Sequence, residues 1–439
     1  MSKVCKYLLF TILGALSGVV LNAQTESAHN SYSPYSVYGI GDMYTQGSAY
    51  NKSMGGVGIA MRNNQYINYL NPAAVTARDT LAFMADINLS VQNKVFSQNG
   101  KRSANNTFNI SGLSFTAPIY HKSAFIMGLT PFSDVAFDFS GKVNSGTLPT
   151  TGYISRAAKG SGGMYQAFVG AGIAFGNFSV GAQALYYFGK IDKDFTYTMQ
   201  STASNSIYSG YELELNALTG KFGVQYETRL SNGLTVTVGA THRLRTSLKG
   251  RIKDYKLSSL SSVTDTLRYS LDTLGKNNAG VKLAGETGIG IAIRRGDKWR
   301  FEVDYTFADW SSSGFDYVAG LSSESGNAAF TCTKAQSFRA GAEYIPNKND
   351  IRYYLRRCAY RAGFYYDKAY YKLNGNAVNS IGVTFGVTLP IFRWYNGLSL
   401  GVDIGQKGGS GANMIKERYV MFSVGFNIHD IWFQKHRYE

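Results

Sequence analysis

The chain has 439 residues, a net charge of +16, 49 glycines, 32 tyrosines and only 7 prolines, with aromatic residues at 14%. Its cations are scattered along the whole length instead of gathered on one helix or stripe, which speaks against a nucleic-acid partner and leaves attraction to anionic headgroups or loop solubility. High tyrosine and glycine with no long apolar run beyond residue 23 excludes membrane helices and points to strands that alternate between lipid and lumen.

At the N-terminus, Lys3 and Lys6 precede the apolar run 7–21, and Leu21-Asn22-Ala23 ends on a small residue. That pattern reads as a secretory signal peptide over residues 1–23. Cys5 lies before the run, so it is not a lipidation cysteine at the cleavage point. Residues 24–79 follow as a periplasmic lead and a separate inner element. Within them, residues 53–77 (SMGGVGIAMRNNQYINYLNPAAVTA) keep neither a strand period nor a helix period. Asn71-Pro72 marks a turn there, because proline fixes its own φ and restricts the residue before it.

Residues 80–428 read as strands. In the clearest, Trp299, Phe301, Val303, Tyr305 and Phe307 alternate with Lys298, Arg300, Glu302, Asp304 and Thr306. About fourteen such segments are expected, a typical even number for an outer-membrane barrel. They fall at 80–92, 105–117, 122–131, 162–175, 178–191, 208–228, 233–249, 280–295, 298–309, 335–345, 358–371, 377–390, 397–407 and 415–428. Long connections (132–161, 250–279, 310–334) are expected outside, and short turns (176–177, 230–233, 295–297) in the periplasm, with 429–439 as a periplasmic tail. The fold class is therefore an all-β transmembrane antiparallel barrel. A barrel of that size leaves a lumen too wide for its own side chains. Residues 31–79 are the spare chain that plugs it.

Glu286, Glu302, Asp304, Arg339, Glu343, Arg361 and Asp403 fall on the inward parity and are expected to anchor the plug, with Asp42 and Arg62 on the plug side. A charged lining is permitted because it faces a polar lumen. The five histidines, His29, His121, His242, His429 and His436, show no metal spacing, and no nucleophile elbow occurs, so no catalytic residue, metal or cofactor is assigned. His242 is placed on the outward face. Gly170, Gly172, Gly288 and Gly290 are placed in the lumen, where small residues leave room for the plug. Cys332 and Cys358 lie either side of an expected turn, and free thiols are the preferred reading over a disulfide.

The run Ser53-Met54-Gly55-Gly56-Val57-Gly58-Ile59-Ala60, with Asn71-Pro72-Ala73-Ala74, resembles the plug of the FadL/TodX-type outer-membrane transporters. The blocks from Arg361 to Tyr366, Tyr370 to Gly375, Lys416 to Tyr419 and Trp432 to Lys435 are similar to the divergent Bacteroidota form, whose relatives include the type IX secretion barrel PorV. The resemblance implies a hatch built on Gly55, Gly56, Gly58, Asn71, Pro72 and Ala73. It also implies passive transport of a hydrophobic or amphipathic small molecule, leaving sideways at a kink in the third strand. That strand ends here in Gly128, Pro131 and Phe132, and glycine and proline both weaken strand pairing. Expected partners are outer-membrane lipid and lipopolysaccharide, the hydrophobic ligand, and barrel assembly machinery through the C-terminal strand. The alternative is a non-transporting barrel that anchors a protein partner in an outer-membrane complex for secretion or assembly. Loops 250–278 and 311–333, rich in Ser, Thr and Asp, lean toward that alternative, and the family leans toward transport.

Overall fold

The computed structural model describes residues 32–79, 82–120, 122–143, 154–199, 205–258, 264–322, 330–392, 396–409, 411 and 414–431. The expected signal peptide, the lead 24–31, His29, His121, His436 and the Trp432 block lie outside the described residues.

Successive side chains of a strand point to opposite faces. A segment that alternates apolar and polar residues therefore separates two environments. The first strands are β1 (Ala82–Gln98), β2 (Lys101–Tyr120), β3 (Ser123–Asp134), β4 (Ile154–Phe175), β5 (Phe178–Met199), β6 (Asn205–Arg229) and β7 (Leu234–Arg243). They are followed by β8 (Glu286–Arg295), β9 (Trp299–Asp309), β10 (Lys334–Tyr344), β11 (Ala359–Leu373), β12 (Asn376–Phe392), β13 (Asn396–Gly408) and β14 (Lys416–Ile431). Together they form a closed antiparallel barrel of 14 strands. Closure comes from β14 meeting β1, in register from Ala82↔Ile431 to Ser97↔Lys416. On β9, Phe301, Val303 and Tyr305 are exposed while Arg300, Glu302 and Asp304 are buried. The outward faces of the other strands repeat this with Phe108, Ile173, Ile289, Phe385 and Phe422. So continuous an apolar belt is intolerable in water and is what hydrocarbon requires.

Tyr120, Phe175, Phe178, Tyr226, Tyr344 and Tyr360 are exposed at the end where the chain enters at Ala82 and leaves at Ile431, as in an interfacial girdle. Turns 176–177, 230–233 and 296–298 are short there, which makes it the periplasmic end by the usual barrel asymmetry. Several expectations need correction. β1, β4, β5 and β14 run past their expected ends, so residues 429–431 belong to the wall and not to a tail. Much of 132–161 is strand, because Phe137–Val143 pairs with β4. Much of 250–279 is a hairpin, Lys249–Ser258 with Thr264–Ser270, that extends β6 outward. Two outer connections are Asn-Gly turns with positive φ at both residues, Asn99-Gly100 and Asn374-Gly375. One periplasmic connection, 345–358, is long. Cys332 and Cys358 are free and buried, and the whole of β10 runs between them instead of a turn.

The third strand departs from the barrel pattern. Its pairing with β2 runs from Tyr120↔Ser123 only to Leu113↔Leu129. Its register with β4 then shifts between Pro131 and Ser133. Every residue from Pro131 to Phe137 is buried, so alternation is lost. A strand can bury both faces only by leaving the wall. β3 therefore dips into the lumen, and outward of Leu113 the described residues of β2 pair with β1 alone.

Candidate functional site

Residues 32–79 run down the lumen from the outer end to the periplasmic end. Ser33 donates to Glu417 at the start of β14, and the Tyr35 hydroxyl donates to the Ile415 carbonyl at 2.5 Å. At the lower end Arg78 donates to the Ser123 carbonyl at 3.0 Å, beside the start of β3. Residues 47–61 are buried throughout. Ser48 caps the short helix Ala49–Lys52, and Gly55 and Gly56 at φ +76° and +80° reverse the chain where a side chain would be strained.

This segment sits against a girdle of wall glycines. Gly172 faces Gly181, which faces Gly223; Gly239 faces Gly290; Gly341 faces Gly363; Gly386 faces Gly401. A Cβ at Gly239 would stand 2.2 Å from the Ile59 carbonyl oxygen, and one at Gly341 2.3 Å from that of Met54. One at Gly181 would stand 2.4 Å from the Pro72 carbonyl carbon. These contacts are backbone to backbone, so neither side has a flexible end that can yield. Gly172, Gly288 and Gly290 lie against the segment as expected, whereas a Cβ at Gly170 would meet the wall at Ala182 and Gln183.

On β9 carboxylates replace glycine. Asp304 Oδ2 accepts from the Gly58 and Ile59 amides at 2.7 and 2.9 Å, and Glu302 Oε1 accepts from Ala60 at 3.0 Å. Asn71 Nδ2 donates to the Ile59 carbonyl at 2.8 Å and to Val224 on β6 at 3.2 Å, while its Oδ1 caps the Ala73 amide at 3.0 Å. Pro72 then opens the turn, where its missing N–H costs nothing. Asp304→Ala is expected to orphan two buried donors, at about 1–3 kcal/mol each, while Asp304→Asn, which keeps one oxygen, loses less. Urea unfolding of the refolded barrel measures both.

The remaining expected charges divide. Glu343 accepts from Arg361 at 3.0 Å, and Arg361 donates to Ser53 at 3.0 Å. Arg339 pairs with Asp367 at 2.9 Å and reaches the Gly55 carbonyl at 3.4 Å. Asp403 accepts from the Tyr365 hydroxyl at 2.8 Å, and Glu286 stands 3.7 Å from Arg243. Asp42 and Arg62 do not meet these seven charges. Asp42 pairs with Lys407, and Arg62 donates to Ser179 and Gln225 at 2.9 and 3.1 Å. Absent from the sequence reading is Lys193, fully buried, whose ammonium donates to the carbonyls of Val37, Gly39 and Gly320 at 2.8, 3.0 and 2.8 Å. Its only signal is that it continues the inward parity of β5. Among the described residues no cluster suits a metal ion, and His242 points outward, 2.9 Å from the Thr287 hydroxyl.

Gly128, Pro131 and Phe132 sit at the seam between β2 and β3. A Cβ on Gly128 would stand 2.6 Å from the Leu113 carbonyl, at the last wall pair. Beyond it the inner segment takes over. Asp42↔Asp134 and Met43↔Ser133 form a short ladder, and the Tyr44 amide donates to the Phe132 carbonyl at 2.9 Å. The Tyr44 hydroxyl then bridges to Ser111 at 2.8 Å and Ser90 at 3.1 Å, on the opposite side of the gap. Phe132 turns inward, its ring 4.4 Å from Tyr187.

Two cavities flank the girdle. The outer, about 370 Å³, is lined by charges of both signs, among them Lys94, Arg339, Lys407, Asp42 and Asp403, and by Phe132 and Tyr187. The periplasmic one, about 350 Å³, is lined by Arg62, Arg294, Arg300, Glu227, Asp297 and Tyr66.

A family profile described as BamG matches residues 5–439. No curated protein matches the sequence. Among solved structures, the CymD monoaromatic hydrocarbon channel is similar at TM-score 0.56 and 15% identity, covering 89% of this chain and 98% of that one. The P. putida toluene transporter TodX is similar at TM-score 0.56 and 14% identity, covering 90% and 100%. A Pseudomonas aeruginosa FadL homologue follows at 0.55 and 11%, covering 88% and 98%. At such identities the likeness establishes a FadL-type barrel fold.

Proposed function

We propose that this chain, which belongs to the BamG family, is a barrel subunit of a protein complex in the outer membrane of a Gram-negative bacterium, acting in outer-membrane assembly without conducting small molecules. On this reading residues 1–23 are removed on export, the wall meets outer-membrane lipid and lipopolysaccharide, and residues 32–79 are a fixed plug. The observation that carries it is the backbone-to-backbone seat of those residues on the wall glycines, with buried carboxylates holding the amides of Gly58, Ile59 and Ala60. A gate needs an element that can leave its seat cheaply; this one would strand several buried polar groups. The charged lining of the periplasmic cavity also suits water better than an apolar ligand, whereas the outer cavity mixes its charges with apolar side chains such as Phe132, Leu185, Phe307 and Trp310.

Passive transport of a hydrophobic molecule is the second reading. It is supported by the wall seam at Pro131 and by the hydrocarbon channels that share the fold. One pair of measurements separates the two. Purification from native membranes without crosslinker should yield a stoichiometric protein partner, and liposomes carrying the barrel should pass toluene no faster than empty ones. Isolation of the barrel alone, with a retained apolar molecule in the outer cavity, would reverse the order of the two readings.

A further inference from the structure

Residues 345–358 connect β10 to β11 at the periplasmic end, where the connections 176–177, 230–233 and 296–298 are short turns. A barrel needs no long connection there, and this one is built rigidly. Asp350 Oδ1 accepts from the Arg352 and Tyr353 amides at 2.9 and 2.8 Å, and the Tyr353 amide is the larger influence holding that carboxyl below the usual range. The Asn347 amide donates to the Arg356 carbonyl at 2.8 Å, closing the loop across its base. Lys348 ties it to Asp297 in the β8–β9 turn at 3.1 Å, and the Tyr354 hydroxyl ties it to the Pro390 carbonyl at 3.1 Å. The Arg356 guanidinium lies 4.8 Å from the Tyr353 ring and that of Arg357 5.0 Å from the Tyr354 ring.

On that frame Ile351 is 96% exposed and Leu355 67% exposed. Flexible loops expose such residues in passing, but this loop holds them out in a fixed geometry. Preorganised presentation of apolar anchors among tyrosine and arginine is the composition of interface hot spots, because little ordering entropy is left to lose. The charge around the anchors is positive: Arg352 and Arg356 stand exposed there and Arg357 is half-buried, while the oxygens of Asp350 are engaged by the Arg352 and Tyr353 amides and by Arg356 at 3.4 Å. A lipid surface would also attract tyrosine and arginine. Here, though, Lys348 and Arg357 border the periplasmic cavity and Lys348 is tied to Asp297, so the loop meets the barrel mouth on one side, while on the other the Tyr360 hydroxyl of the girdle donates to the Leu355 carbonyl at 3.0 Å.

We propose that residues 345–358 are the docking surface for a periplasmic protein whose acidic patch surrounds an apolar pocket. Ile351 and Leu355 enter the pocket, and Arg352 and Arg356 pair with the carboxylates at its edge. This rests on the complex reading above and names the face through which that complex forms.

The test uses the tagged full-length protein purified from native membranes as wild type, as Ile351→Asp/Leu355→Asp and as Arg352→Glu/Arg356→Glu. A photocrosslinking residue is placed at Ile351 or, as a control, at Leu267 in the outer hairpin. Both double variants should keep the heat-modifiable folded barrel and lose about tenfold or more of the co-purified partner. Ile351 should give one protein adduct and Leu267 none at that mass. Lysine substitutions in the partner's acidic patch should restore binding to the arginine-to-glutamate variant. A complex that survives both variants overturns the loop and leaves the complex reading standing, and adducts at Ile351 with phospholipid alone do the same. Wild-type protein that purifies alone overturns the complex reading and the loop with it.

Discussion

Gly363→Ala is expected to unseat the inner segment and, with that segment as the proposed plug, to make the barrel leak. A Cβ at Gly363 would stand 2.1 Å from the Gly55 amide nitrogen and 2.4 Å from the Met54 carbonyl carbon. Overpacking an ordinary core costs about 1–3 kcal/mol because side chains shift to rotamers they dislike. Here the obstacle is main chain, and Gly55 is held in a left-handed turn that no neighbouring residue type can take over cheaply. The cost should therefore reach the top of that range or pass it. Relief lies in displacing residues 53–56, which gives up the Gly55 amide's bond to Thr384 at 2.8 Å and the Ser53 bond to Arg361. Gly141→Ala is the control, since nothing lies within 4 Å of its Cβ. Planar-bilayer conductance and protease cleavage within residues 53–77 should both rise for Gly363→Ala and stay at wild-type level for Gly141→Ala. A silent Gly363→Ala, closed and resistant, would mean that the segment and β11 move together and that the girdle is not a seat.

The barrel was legible because lipid on one side and a polar lumen on the other impose a two-residue period that little else can produce. On β9 the alternation marks Phe301, Val303 and Tyr305 outward and Glu302 and Asp304 inward, and the structure places each accordingly. The period fades where the strands leave the bilayer, because above it neither face has to be apolar. Lys193 was missed for that reason: it lies past Phe188, where the outward apolar face of β5 stops, although its parity is unbroken. The same loss hid the hairpin Lys249–Ser258 with Thr264–Ser270, whose strands were read as loop. Of the inner segment, its glycines and its Asn-Pro turn were readable as tightly folded chain, but its partners were not. Which wall residue meets Gly58 depends on the vertical stagger of strands far apart in sequence, and no local pattern encodes it. Asp42 and Arg62 could be singled out as charged, yet Lys407 and Gln225 could not be chosen for them. The periplasmic loop 345–358 failed for a different reason. Its two apolar anchors have no period, and single exposed apolar residues are ordinary in sequence terms.

The seam and the inner segment also explain one another. β3 leaves the wall at Pro131, where a residue without an amide hydrogen opens the ladder. An open edge in hydrocarbon would be costly, since unsatisfied backbone groups find no water there. The inner segment supplies the missing partner to β3 at Asp42 and Met43, and Tyr44 reaches across to β1 and β2. The same chain that runs down the lumen therefore also braces the wall.

Glu343→Ala is expected to be the most destabilising single change among the lumen charges. Its carboxylate accepts from Arg361 at 3.0 Å and stands 3.9 Å from Arg300. The Arg361 side chain is fully buried, its guanidinium 4.0 Å from the Tyr50 ring, and Arg300 donates to the Tyr50 hydroxyl at 2.9 Å. Removing one partner of a buried pair typically costs about 3–5 kcal/mol, because the surviving charge keeps its desolvation and loses its compensation. Two cations share this anion, which raises the cost; Arg300 borders the periplasmic cavity, which lets water lower it again. Arg361 has no such outlet and decides the sign. The double variant Glu343→Leu/Arg361→Met should recover most of the loss, since replacing a whole buried pair with apolar residues of similar volume is often nearly neutral. Urea midpoints of the refolded barrel for the single and double variants supply the cycle. If Glu343→Ala alone costs under about 1 kcal/mol, as an exposed pair would, then water reaches Arg361 around Tyr50, and the segment is seated by its glycines and its β9 carboxylates without this pair.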